Sequence, residues 1–250
     1  MGNGRWIYQI PNGYNGLRIR TNTYSNGTDA ITVKFWNFHL SKGNAIVPYS
    51  SQVVDCSGHG NHGTYSAIFN PSFDSPRYKN CSIFENNKYI NCGRSTMVTD
   101  AITVSGWFYS DNWSTVTHNT NRLISCAEGG GWDFWPNGDG KMTMEVFRNG
   151  SYVTGIYSTP LPQWTQGWHH IVGTYDGYKA EIYVDGKAGT TSATTTTKYP
   201  ITYNNNNALF IGAEAGGNYD PPGGYYFTGK ASDVRIYATA LPEATVKEIY

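Results

Sequence analysis

The side chains best suited to chemistry in this sequence are flat apolar rings set among amides and glycines. Trp113 lies in the polar stretch 110–114, Trp132 and Trp135 lie between Gly-rich turns, and Tyr219, Tyr225 and Tyr226 belong to the Pro/Gly-rich stretch 218–226. Sugars present C–H faces that stack on such rings, while amides and hydroxyls bond the sugar hydroxyls. Protein docking surfaces, including contacts between copies of one chain, draw on the same residues. These six rings are therefore candidate ligand contacts, with a glycan and a protein interface both open. Trp107 and Trp168 fall inside strand-like runs and are expected in the core.

Catalytic patterns are weak. Retaining glycoside hydrolysis needs two carboxyls about 5 Å apart, which on one strand means acids two or four residues apart. Glu145 stands alone in its run. Glu181 and Asp185 are four apart, but Asp185 precedes Gly186 in a turn. No G-x-S-x-G elbow or phosphate-binding loop is present. No catalytic residue is assigned, and the chain is not expected to be an enzyme. His169 and His170 point to opposite faces of a strand and cannot share one metal; one is expected to be packed and hydrogen-bonded, the other more solvated. His59 and His62 sit in a Gly-rich turn and are expected to cap it. Cys56, Cys81, Cys92 and Cys126 form no C-x-x-C pair and are read as free thiols rather than disulfides.

Strands must position these groups. The chain has 250 residues, 18 Lys+Arg against 18 Asp+Glu, and only 14% charged residues, where roughly 25% is usual. Such neutrality argues against nucleic acid as a partner, and no apolar run nears the ~18 residues needed for membrane insertion. Aromatics at 15% argue against disorder. Alternating β-branched and aromatic runs predict strands at 32–38, 101–109, 122–126, 141–146, 208–213 and 229–237. The sharpest hairpin joins 168–175 to 179–187 through Asp176-Gly177. A short helix is expected within 241–250. Residues 1–30 read as an N-terminal arm or extra strands, a possible docking segment, and 31–250 as one all-β domain. The N-terminus lacks the apolar stretch of a secretory signal.

Four motifs, in order, resemble the laminin-G-like, concanavalin A-like family. They are 55–64 (Asp-Cys-Ser-Gly-His-Gly-Asn-His-Gly-Thr), 102–107, the hairpin 168–186, and 231–237 with Ala240-Leu241. The resemblance implies a two-sheet antiparallel jelly-roll sandwich of about a dozen strands. Residues 122–132 and 210–216 are similar to such domains in structural proteins of tailed phages and prophages. That resemblance implies a non-catalytic virion protein on fibre, tail or capsid, binding host surface polysaccharide and docked on other virion proteins through its N-terminal arm. The alternative is a carbohydrate-binding module of a secreted or cell-surface bacterial protein; a glycoside hydrolase ranks third. Family members often hold a structural Ca2+, and Asp55 and Asp233, which sit in family motifs, are the candidate ligands.

Overall fold

The computed structural model describes residues 52–67, 71–77, 79–94, 97–117, 121–137, 139–157, 159–217 and 220–250. The expected arm at 1–30, the strand at 32–38 and Tyr219 lie outside the described residues.

Fifteen strands follow in chain order: β1 Gln52–Val53, β2 Gly63–Tyr65, β3 Pro71–Ser75, β4 Lys79–Phe84, β5 Ile90–Asn91, β6 Ile102–Ser110, β7 Ile124–Ser125, β8 Trp132–Pro136, β9 Met142–Arg148, β10 Ser151–Ile156, β11 Gly167–Tyr175, β12 Ala180–Val184, β13 Lys187–Ala188, β14 Phe210–Ile211 and β15 Gly229–Tyr237. Among the described residues a single α-helix, α1, spans Glu243–Glu248. The strands form two antiparallel sheets. One has the order β1-β2-β5-β14-β7-β8-β9-β10, the other β13-β12-β11-β6-β15-β4-β3. Strands distant in sequence are neighbours in both, as a jelly-roll sandwich requires. No described helix is long and apolar enough to cross a membrane.

Turn chemistry sets the hairpins. Asp176 accepts the backbone N–H groups of Tyr178 and Lys179 at 2.8 and 2.9 Å, closing β11 onto β12. Asn149-Gly150 joins β9 to β10 with φ of 46° and 78°. Positive φ at both central residues matches the right-handed twist of paired strands, and Asn-Gly tolerates it. The β9–β10 hairpin is absent from the sequence-based expectation.

The core lies between the sheets. Ile102, Val104 and Phe108 of β6, Ile171 and Tyr175 of β11 and Ile182 of β12 meet Trp132 and Phe134 of β8 and Met142, Met144 and Val146 of β9. The sheets approach closely at Gly173, where a Cβ would lie 2.5 Å from the Phe134 ring and 2.7 Å from the Met144 sulfur. The outer face of the seven-stranded sheet is covered by the C-terminal segment. Val246, Leu241 and Ile249 pack on Val172 and Tyr183, and Tyr250 stacks on Trp107 at 5.6 Å. That leaves the outer face of the eight-stranded sheet as the broad surface on which a site is built.

Two expectations about local structure are corrected. Residues 132–136 are a strand rather than a stretch between turns. Trp113 opens a 3-10 turn, capped by the Asn112 side chain, and is buried rather than displayed.

Candidate functional site

The residues of β8 alternate. Trp132 and Phe134 enter the core, so Asp133 and Trp135 stand on the outer face. The β8–β9 register sets Glu145 opposite Asp133 and Thr143 opposite Trp135. The β9–β10 register sets Thr154 on the other side of Glu145. Opposed residues on antiparallel strands have Cβ atoms about 5 Å apart, so two acids twelve positions apart in sequence become neighbours.

Arg122, just before β7, completes the group. Its backbone N–H donates to Tyr225 O at 2.8 Å. Its guanidinium lies over the same face, donating from Nε to Asp133 Oδ2 at 3.2 Å and pairing through Nη2 with Glu214 Oε1 at 3.2 Å. The guanidinium carbon sits 4.8 Å from the centre of the Trp135 ring and 5.0 Å from that of Tyr225. The cation is thus held between two rings and two carboxyls.

Glu214 and Tyr225 belong to one loop. Glu214 and Gly224 pair through Glu214 N to Gly224 O at 3.0 Å, and Gly223 N returns to Glu214 O at 2.9 Å. The loop closes where Gly216 meets Gly223: a Cβ on Gly216 would be 2.3 Å from the Gly223 Cα. Only glycine permits that approach. Its consequence is that Tyr225 is delivered onto Arg122.

The electrostatics follow from burial. Asp133 is 1% exposed, and loss of solvent holds its carboxyl well above the usual range, with repulsion from Glu145 adding and Arg122 opposing. Burial also pushes Glu145 up to about 7, although Arg122, the Trp135 side chain and Asp133 oppose it. Glu214 is raised for the same first reason. Asp133 Oδ1 is buried and meets no donor, yet Asp133 is in hydrogen-bond contact with Glu145. The cluster sets the Arg122 cation among three acids, Asp133, Glu145 and Glu214, each held toward its protonated form by burial.

From solvent this site offers an exposed Tyr225 and a half-buried Trp135, with Glu145 and Glu214 half-buried beside them. Rings beside carboxylate acceptors suit a polyol: ring faces take C–H groups and carboxylates accept hydroxyl protons. Asp133 and Glu145 are the two acids that a hydrolase reading would pair. Asp133, however, is sealed beneath Arg122 and the sheet, so no anomeric carbon can reach it.

The other anticipated residues divide. Trp113 Nε1 donates to Gly167 O at 3.0 Å, and its ring packs on Trp164 at 5.0 Å. Trp132, like Trp113, is 1% exposed and belongs to the core; neither has a face for a ligand. Tyr226 turns away from Tyr225 and meets Tyr89 at 6.2 Å. Tyr89 and Asp220 help line a polar cleft of about 430 Å³. Tyr225 and Trp135 are therefore the two anticipated rings that the fold brings together.

Asp55 and Asp233 sit on different elements and have different partners. Asp55 follows β1 and accepts the backbone N–H groups of Ser57 and Asn61 at 2.8 and 2.9 Å; the Ser57 side chain first, and these backbone groups with it, hold its carboxyl down at about 2. Asp233 sits in a bulge of β15, in the other sheet, with both oxygens on the Arg235 guanidinium at 2.7 and 2.9 Å. Carboxylates so engaged do not fit a shared calcium site, and the described residues contain no group of three metal-ligating side chains. Both histidines are buried, which corrects the expectation that one is solvated. His169 bonds Asp185 at 2.7 Å and Thr165 O at 3.0 Å, whereas His170 packs against Trp107 at 5.1 Å. The four cysteines are unpaired.

Sequence reasoning missed Arg122, Asp133 and Glu214 as site residues and set Glu145 aside. For Asp133 a signal existed: Trp-Asp-Phe-Trp alternates with the period of a strand. Arg122 and Glu214 carry none, because pairing across more than ninety residues unites them.

A family model described as "Concanavalin A-like lectin/glucanases superfamily" matches residues 84–247. No curated protein sequence matches the chain. Among solved structures, domain 4 of AbnA, a GH43 extracellular arabinanase from Geobacillus stearothermophilus in complex with arabinotriose, is similar with TM-score 0.57 and 18% identity, over 75% of this chain and 87% of that one. The binding domain of Paraclostridial Mosquitocidal Protein 1 gives 0.56 and 15%, over 80% and 49%. The ligand binding domain of botulinum neurotoxin serotype D, in complex with N-acetylneuraminic acid, gives 0.54 and 15%, over 78% and 47%. The chain spans about half the length of these two toxin domains. At such identities the likeness shows the fold.

Proposed function

Because the chain belongs to the concanavalin A-like lectin/glucanase superfamily, we propose that it is a non-catalytic carbohydrate-binding module whose binding surface is the outer face of the eight-stranded sheet. The observation that carries this reading is the Arg122 guanidinium clasped between Trp135 and Tyr225. The clasp fixes two rings beside the carboxylates of Glu145 and Glu214, so a sugar meets a preorganised surface and little ordering is required on binding. The test is a broad glycan array with the intact protein and with Trp135→Ala. Binding that the substitution abolishes supports the reading, and an array without hits defeats it. Release of reducing sugar from a bound glycan would favour a hydrolase instead.

On the finer level we propose display on a tailed-phage particle, where residues 1–30 dock the module on other virion proteins and the site engages host surface polysaccharide. Two phage-like stretches, 122–132 and 210–216, support this: they supply Arg122, Asp133's neighbour Trp132, and Glu214. Mass spectrometry of purified particles tests it. Absence from virions, with the gene beside exported enzymes, favours a secreted bacterial module.

A further inference from the structure

The charge balance around Arg122 goes beyond the presence of a sugar site. We propose that this site, if it binds glycans as above, selects uncharged ones and turns away those that bring a carboxylate, sulfate or phosphate to the contact position. An acidic sugar is recognised by a cation with N–H groups to spare, best a bidentate guanidinium. Here the guanidinium is already divided between Asp133 and Glu214, its Nη1 donates to Asn121 O at 3.3 Å, and both ring contacts cover its faces. Lys141, which precedes β9, and Arg94, which follows β5, are engaged as well. Lys141 pairs with Asp139 at 3.6 Å, and Arg94 donates to the carbonyls of Asn204 and Asn207.

The acids face outward instead. Glu145 and Glu214 are half-buried, and Glu128 adds repulsion on Glu214. An incoming anion therefore loses water and meets like charge, and juxtaposed like charges are a common device against wrong partners. A neutral polyol meets the same oxygens as hydrogen-bond acceptors.

The test uses matched pairs in which only the carboxylate is masked: oligogalacturonides against their methyl esters, and sialylated oligosaccharides against their sialic acid methyl esters. Titration of the intact protein is expected to show the neutral member of a bound pair at least about tenfold tighter. The gap narrows as salt rises, because screening weakens the repulsion, and narrows again in Glu145→Gln/Glu214→Gln. The salt series needs no variant, so it stands even if the double substitution unfolds. An acidic member that binds as tightly as its neutral partner overturns the proposal while leaving the site intact. Hits indifferent to Trp135→Ala overturn the site itself.

Discussion

Arg122 Nε and Asp133 Oδ2 stand 3.2 Å apart with the two side chains 8% and 1% exposed. The geometry makes Arg122 a structural part of the sheet as well as a site residue. Removing one member of a buried pair leaves the other uncompensated, at a cost of about 3–5 kcal/mol. Arg122→Ala is expected to fall in that range in urea unfolding, with Asp133 and Glu214 both left without their cation. Arg122→Lys keeps the charge but neither the fork nor the stacking plane. It should recover part of the stability and little of the glycan affinity. Wild-type binding by the lysine variant would show that the clasp is irrelevant to the site.

Tryptophans separate stability from binding. Trp113→Ala and Trp132→Ala empty core volume and are each expected to cost about 3–5 kcal/mol. Tyr225 is 41% exposed, so Tyr225→Ala forfeits mainly its contact with Arg122, about 1 kcal/mol or less. Its glycan affinity should nevertheless fall by about tenfold or more. Thermal melts run beside binding titrations check both halves. A Tyr225 variant that binds normally would remove that ring from the site.

The pH dependence follows from Glu145. Its ordinary value of 4.5 is raised to about 7 in the fold, with burial the largest cause. The folded state therefore holds a proton that the unfolded chain has released. That contribution to stability is complete below about 4.5 and is lost as pH rises toward 7. His170, lowered from 6.5 to about 4 by burial, acts oppositely: it costs stability as pH falls through that interval. The difference between wild type and Glu145→Gln isolates the acid. The unfolding free energies of wild type and Glu145→Gln, measured at pH 4.5, 5.5 and 7, should converge as pH falls, because the protonated acid and the amide are both neutral there, while the His170 contribution is common to both and cancels in the difference. A flat difference across this range would show that Glu145 titrates normally.

Much of the fold is legible from residue patterns alone. The run 229–237 alternates strongly enough that its bounds coincide with β15, and Asp176-Gly177 marks the central hairpin where it occurs. Trp132 and Trp135 mislead because flanking glycines resemble loop punctuation, while the strand between them is only five residues long. The site is legible only in part. A ring can be read as a candidate contact from its surroundings, as for Trp135 and Tyr225. Carboxyl partnership cannot be read so, because Asp133 and Glu145 meet through register and Glu214 reaches Arg122 through a loop pairing. Register is a tertiary property, set by hydrophobic faces and turns elsewhere in the sheet.

The glycine pair beneath Tyr225 gives the most selective test of how the loop serves the site. A Cβ on Gly216 would lie 2.3 Å from the Gly223 Cα, and one on Gly223 would lie 2.5 Å from the Gly216 Cα. Gly216 also has φ of +57°, a conformation that costs other residues about 1 kcal/mol or more. Gly216→Ala must therefore open the loop, and the loop carries Glu214 and Tyr225 together. Its effect should be local, since the core strands make no use of this approach. Glycan affinity is expected to fall by about tenfold while the unfolding midpoint moves by only a few degrees. Gly173→Ala provides the contrast. There the new methyl meets Phe134 and Met144 between the sheets, and overpacking of that kind costs about 1–3 kcal/mol across the whole domain. A Gly216 variant with unaltered affinity would mean that the ring of Tyr225 does not depend on this closure for its place over Arg122.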